Sequence, residues 1–296
     1  MIDMKKFRFS ILAFAALLML FSCKKHDQFA GYKMHAVPDD YAEIQLHYFE
    51  PVLNNSTNYI DSVFLNKQLY SSSGGNGVLT PMNGVPCYGV GKFFGVPSGS
   101  VNVKLYRKDE LIYDKNVNLT PGKQDVWIAR LDMDPIVTDN GYPYWNIKAP
   151  TNSVGWGSDS VAKVQFINML FEDNTGHPAT PATPYPGKLK LQYQDNKTKE
   201  WMDVGDYVAF GEATGREEVR VRKADGVITS GYESITFRLL TESGDIMQYR
   251  SGASETAYTN WQYSRTLYIG RVYEYIIGGV RTGRTPSVSV ATWTSL

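Results

Sequence analysis

One short run sets the architecture of this chain. From Val101 to Tyr106, the apolar Val101, Val103 and Leu105 alternate with Asn102, Lys104 and Tyr106. An extended strand sends successive side chains to opposite faces, so this period suits a strand with one buried face and does not suit a helix. Val96-Pro97-Ser98-Gly99-Ser100 precedes the run as a turn. Leu111 to Leu119 reads as the next strand, and Thr120-Pro121-Gly122-Lys123 ends it. A Pro-Gly pair fits the central positions of a type II turn. Further strands are expected at Ala42–Tyr48, Tyr59–Leu65, Cys87–Gly95 and Asp125–Leu131, with an exposed Ser/Gly-rich loop at Ser71–Gly77.

The second half repeats the pattern. Leu189, Leu191 and Tyr193 alternate up to Asp195-Asn196-Lys197-Thr198, and Trp201 with Val204 continues after it, as a hairpin requires. Val219–Val221, Ile235–Leu240, Ile246–Arg250 and Arg265–Val280 supply further strands, and Ser251–Thr259 has room for a short helical turn. Ala162-Lys163-Val164-Gln165-Phe166 echoes Ala42-Glu43-Ile44-Gln45-Leu46. Glu274-Tyr275-Ile276 stands where Asp125-Val126-Trp127 stands in the first half. The expectation is an all-β fold of two tandem immunoglobulin-like antiparallel β-sandwich domains, at 39–135 and 159–296, joined by a linker at 136–158. An up-and-down barrel would call for more even loop lengths than these.

The N-terminus has a different character. Lys5, Lys6 and Arg8 precede Phe9–Phe21, which is apolar except for Ser10. That segment is short for a membrane span, which needs ~20 residues, and suits a signal peptide. Leu20-Phe21-Ser22-Cys23 resembles a lipobox, so 1–22 read as a lipoprotein signal peptide and Cys23 as the acylated residue. Residues 23–38 then form a tether. Each buried methylene contributes ~0.8 kcal/mol, and two or more palmitate-type chains anchor firmly. The expected location is the cell envelope, at the outer membrane. Lys24-Lys25-His26-Asp27-Gln28 resembles surface-export signals in lipoproteins of Bacteroidetes type.

Composition narrows the partners. The formal net charge is zero, which argues against nucleic acid as a partner. Of two cysteines, one is the lipid site, so Cys87 has no intrachain disulfide partner.

The segment Gly91-Lys92-Phe93-Phe94-Gly95-Val96-Pro97-Ser98-Gly99-Ser100, continuing to Tyr106, and then Leu119-Thr120-Pro121-Gly122-Lys123, resembles the core of domain-of-unknown-function family 4397. The resemblance implies extracytoplasmic β-sandwich modules, in tandem on lipoproteins, and carries over no catalytic residue. The second half departs from the motif, with Phe210-Gly211-Glu212-Ala213-Thr214-Gly215 where the Pro-Ser-Gly turn is expected.

Two aromatic groups are candidate ligand-binding residues: Tyr142, Tyr144, Trp145 and Trp156 in the linker, and Tyr258, Trp261 and Tyr263 in an expected loop. Tyr and Trp join a flat apolar face to a polar handle, which suits sugar rings and protein partners alike. The alternative for the linker group is a wedge between the two domains. Asp132, Asp134 and Asp139 are the best oxygen cluster, and calcium is the cofactor they would take, although their spacing is not that of an EF-hand. The four histidines lack metal-ligand spacing and no G-x-S-x-G elbow occurs. Arg216, Arg220, Arg222 and Lys223 interleave with Glu217 and Glu218 and read as a solvated face. The leading expectation is a non-enzymatic binding or adhesion module for a glycan or an envelope or host protein. The alternatives are a structural or accessory subunit of an envelope assembly and, less favoured, a glycoside or ester hydrolase.

Overall fold

The computed structural model describes residues 37–74, 77–86, 93–139, 160–172, 182–225, 231–251, 256–283 and 288–294. Among these residues every regular element is a strand, and no sheet closes into a barrel. Asp39–Leu296 is one compact unit. Its first half carries β1 (Tyr41–Tyr48), β2 (Ser62–Leu65), β3 (Gln68–Ser72), β4 (Asn83–Val85) and β5 (Phe94–Pro97). β6 (Gly99–Arg107), β7 (Glu110–Leu119), β8 (Gly122–Ile128) and β9 (Ile136–Asp139) complete it. The second half carries β10 (Val161–Asn168), β11 (Phe171–Glu172), β12 (Thr183–Pro184), β13 (Leu189–Gln194), β14 (Trp201–Val208) and β15 (Glu217–Arg220). There follow β16 (Tyr232–Thr241), β17 (Gln248–Arg250), β18 (Tyr258–Asn260), β19 (Gln262–Tyr268), β20 (Val272–Gly278) and β21 (Ser289–Thr294).

The two halves share one wiring pattern. In the first, β1 pairs parallel with β8 and antiparallel with β4 and β5, and β9 pairs with β8. A second sheet runs β3-β2-β6-β7. The second half repeats both orders, as β15-β10-β20-β21 and β14-β13-β16-β19. Registers coincide as well: Gln45 stands opposite Asp125 in one parallel pair, and Gln165 opposite Glu274 in the other. Even the pairing of His47 with Gly84 has a counterpart in the bridge between Ile167 and Ala213. The echoed sequence segments are thus equivalent central strands. The small hairpins β11/β12 and β17/β18 have no counterpart among the described residues of the first half.

Alternation explains the cores. Ala42, Ile44 and Leu46 of β1 meet Val63 and Leu65 of β2 and Val101, Val103 and Leu105 of β6 in one sandwich-like cluster. Val164, Leu191, Phe237 and Tyr275 belong to its counterpart in the second half. The Pro-Gly turn behaves as the sequence predicts, since Gly122 takes φ +104° at the start of β8, where a Cβ is unfavourable.

The opposite faces of the central sheets are also buried. Phe49, Trp127 and Ala129 of the first half pack on Ile167, Met169 and Ile276 of the second, forming a third core along a seam. This is why all of Val272–Gly278 is buried: a sheet covered on both faces has no solvent side to alternate with.

Several features depart from expectation: the sheets expected to be antiparallel each hold one parallel pair, β1/β8 and β10/β20, and Ser71, expected in an exposed loop, is buried in β3. Ile136–Asp139, placed in the linker, is the edge strand β9 and pairs with β8. Arg265–Val280 is not one strand, because Gly270 at φ +79° breaks it into β19 and β20 on different sheets. Arg222, read as solvated, is 7% exposed and its guanidinium forks onto the buried Asp195 carboxylate, with Nε at 3.0 Å from Oδ1. Asp195 also caps its own turn through the Lys197 N–H at 2.9 Å, so this buried pair is well satisfied. Most of Ser251–Thr259 lies outside the described residues, and its end is the start of β18.

Gly211 tests the seam. Its φ is +80°, and a Cβ there would lie 2.9 Å from Ile136 Cδ1 of β9. Gly211→Ala is expected to cost about 1–3 kcal/mol in urea unfolding, from backbone strain and overpacking together. Adding Ile136→Val, which removes the obstructing methyl, should recover part of that loss. No recovery would mean that the contact is irrelevant.

Candidate functional site

The best exposed surface is built by β16 and β19. Their cross-strand partners place Tyr232 beside Tyr268, Ser234 beside Thr266, Thr236 beside Ser264, and Arg238 beside Gln262. The intervening residues Ile235, Phe237 and Leu267 point into the core, so the polar partners are forced outward by the period of two. Tyr232 and Tyr268 are 43% and 39% exposed, with ring centroids 5.1 Å apart. The Arg271 guanidinium lies 4.2 Å from the Tyr268 ring centroid. Farther along the face, the Thr236 and Ser264 hydroxyls meet at 3.0 Å, and Arg238 Nε donates to Gln192 Oε1 at 2.8 Å. Arg238 also covers the Trp201 ring at 4.1 Å. The result is an aromatic pair at one end of a strip of hydroxyl, amide and guanidinium groups, all held by a rigid sheet.

The residues expected to bind ligand fare differently. Cys23, Tyr142, Tyr144, Trp145 and Trp156 lie outside the described residues. Trp261 is only 4% exposed and belongs to the second-half core, which removes it as a ligand contact. Its loop is in fact the junction of β18 and β19. Tyr263 is half-buried against that core and stacks on Trp261 with centroids 6.3 Å apart. Tyr258 is exposed but stands apart on the small β17/β18 hairpin. The acidic cluster does not converge either. Asp132 accepts from Arg130 Nη2 at 2.8 Å, and that guanidinium holds its carboxyl below the ordinary range. Asp134 pairs with Lys115 at 3.1 Å, while Asp139 ends β9. Among the described residues no group of three or more His, Cys, Asp or Glu side chains is arranged for a metal ion.

Sequence reasoning missed the polar centre of the seam. His47 Nε2 lies 2.8 Å from Asp125 Oδ1, and both residues are fully buried. The His47 ring stacks on Trp127 with centroids 4.0 Å apart, and Trp127 Nε1 donates to Thr138 Oγ1 at 2.8 Å. A Cβ at Gly84 would lie 2.5 Å from His47 Nδ1, so the ring needs a glycine beneath it. Burial lowers the His47 pKa to about 4, against a smaller raising effect of Glu274. The imidazole is therefore neutral near pH 7, and its Nε2–H donates to Asp125. Glu274 comes from β20, across the seam. Burial, and next the Asp125 carboxylate, push its carboxyl well above the ordinary range. A hydrogen bond with Asp125 further favours the protonated form. Polar groups from both halves thus meet at the Asp125 carboxyl. A signal existed in the sequence: Gln45 and Gln165, and likewise Asp125 and Glu274, occupy equivalent places in the two halves.

No protein-family model matches the chain, and no curated protein matches it.

Proposed function

We propose that this is a lipid-anchored extracytoplasmic binding protein, held through Cys23 at the outer membrane, that recognises a glycan on the outer face of β16 and β19. In this reading the two halves are tandem immunoglobulin-like sandwiches related to family 4397, and the protein is not an enzyme. The observation that carries the reading is the exposed Tyr232–Tyr268 pair beside a strip of hydroxyl and amide groups. Sugar rings present C–H faces to aromatic planes and hydroxyls to such donors and acceptors. The binding groups thus shift from the loops that sequence favoured to a sheet face.

The test is a glycan array probed with the full chain in detergent, followed by titration of the best hit. Tyr232→Ala/Tyr268→Ala is expected to weaken binding about tenfold or more, since each stacked ring contributes ~1 kcal/mol. Both side chains are exposed, so the fold should be unaffected. Undiminished glycan affinity in the double variant, or capture of an envelope or host protein with no glycan bound, overturns the assignment.

A further inference from the structure

Arg238 stands on the outer side of β16 with Tyr232, Ser234 and Thr236, because the period of two sends all four away from the core. Two contacts fix its side chain. The guanidinium lies 4.1 Å from the Trp201 ring centroid, and Nε donates to Gln192 Oε1 at 2.8 Å. Gln192 is held in turn, since its Nε2 donates to Asp203 Oδ1 at 2.6 Å. The other oxygen, Asp203 Oδ2, accepts from Lys190 Nζ at 2.8 Å. The nearest carboxylate is thus engaged by two neighbours, and Arg238 makes no ion pair among the described residues.

The far edge of the guanidinium remains open. Among the described residues Arg238 Nη1 and Nη2 have no hydrogen-bond partner, and neither belongs to the polar atoms that are buried without one. They therefore face solvent. A planar fork whose ring contact and Nε are already set loses little freedom on meeting another partner. Its two terminal N–H groups match the two oxygens of a carboxylate. Length then sets the size of the ligand. Tyr232 and Arg238 are six strand residues apart, which is about 20 Å of extended backbone. The hydroxyl pairs Ser234/Thr266 and Thr236/Ser264 fill the interval. One sugar ring cannot touch both ends, whereas a short chain of sugars laid along the strands can. Arg271, beside Tyr268, adds positive charge at the aromatic end.

Resting on the glycan reading above, we infer that this face takes an acidic oligosaccharide, with one uronic acid carboxylate held by the Nη1/Nη2 fork of Arg238 and another ring stacked at the Tyr232–Tyr268 end.

The probes are hexamers of galacturonic acid and of mannuronic acid, each beside its own methyl ester, and a sulfated galactan hexamer that carries no carboxylate. Each is titrated by calorimetry into the full chain in detergent. At least one acid should bind about tenfold or more tightly than its ester, because a bidentate charged pair is lost on esterification, and the preference should shrink as salt is raised. Arg238→Gln should bring that acid down to the affinity of its ester, with the urea midpoint confirming the fold. Lys67→Gln removes the same charge at the exposed β2–β3 turn and should leave the affinity for the acid unchanged. Tyr232→Ala/Tyr268→Ala should weaken acid and ester alike. Equal affinity for acid and ester, tighter binding of the sulfated galactan, or an acid preference that survives in a folded Arg238→Gln protein overturns the inference and leaves the glycan reading standing. Equal weakening by Arg238→Gln and Lys67→Gln also overturns it, by reducing the effect to diffuse charge. If no glycan binds, charged or neutral, the glycan reading itself fails and the inference falls with it.

Discussion

Trp127→Ala is expected to lower the unfolding free energy by about 3–5 kcal/mol, the range for removing a large aromatic from a core. Trp127 has no exposed surface. Its ring stacks on His47, meets Phe49 edge-on at 5.3 Å, and packs in the cluster that joins Ile167, Met169 and Ile276 from the other half. Each half has its own core, so the loss falls on the coupling between them. A single unfolding transition in the parent should divide into two in the variant, seen by calorimetry and by urea titration. Trp127→Phe keeps most of the volume but loses the hydrogen bond to Thr138, and should cost about 1–2 kcal/mol. A loss below about 1 kcal/mol in Trp127→Ala, with one transition retained, would show that the seam does not couple the halves.

The second large effect is a pH dependence with two opposed limbs. Burial holds the folded His47 pKa at about 4, against an ordinary value of 6.5. As pH falls through that window the unfolded chain takes up a proton that the folded one refuses, so stability drops toward acid, by about 3 kcal/mol in full. Glu274 acts in reverse. Its folded pKa is raised, so its contribution is present in acid and is lost as pH rises above the unfolded carboxylate value toward the folded one. The two effects oppose each other above the ordinary carboxylate range. Glu274→Gln keeps a donor toward Asp125 and removes the titration. It should flatten the alkaline limb and steepen the acidic one. His47→Gln should do the converse. Urea midpoints at pH 5, 6.5 and 8, chosen to bracket these windows, test this. Parallel pH profiles for parent and both variants would refute the assigned protonation states. The groups facing the cluster are Gln45, Trp127, Gln165 and, at longer range, Arg216.

Strands with one wet face were legible in the sequence because their pattern is local. Val101–Leu105 and the hairpin of β13 and β14 were readable from alternation and turn residues alone. What failed was everything decided by a partner far along the chain. Arg222 sits in a run of alternating charges and looks solvated, yet Asp195, 27 positions away, draws it inside. Trp261, between Asn260 and Gln262, looks like part of a polar loop and instead fills the second core. Ile136 and Val137 are adjacent apolar residues after a proline, with no alternation, so β9 was hidden until β8 offered it an edge. The polar trio at the seam was least visible. On a half-exposed strand His47, Asp125 and Glu274 would simply face water, and only the second sheet lying behind the first makes them interior.

The placement of β1 has a mechanical consequence. It is the first strand of the compact unit, yet it is an inner strand, bonded to β8 on one side and to β4 and β5 on the other. A pull transmitted from an anchor ahead of Asp39 runs lengthwise along this strand and must shear both ladders at once, where a strand hinged at a sheet edge unzips one bond at a time. Under the lipid anchorage proposed at Cys23, tension between membrane and ligand would therefore load a strand that is held on both sides.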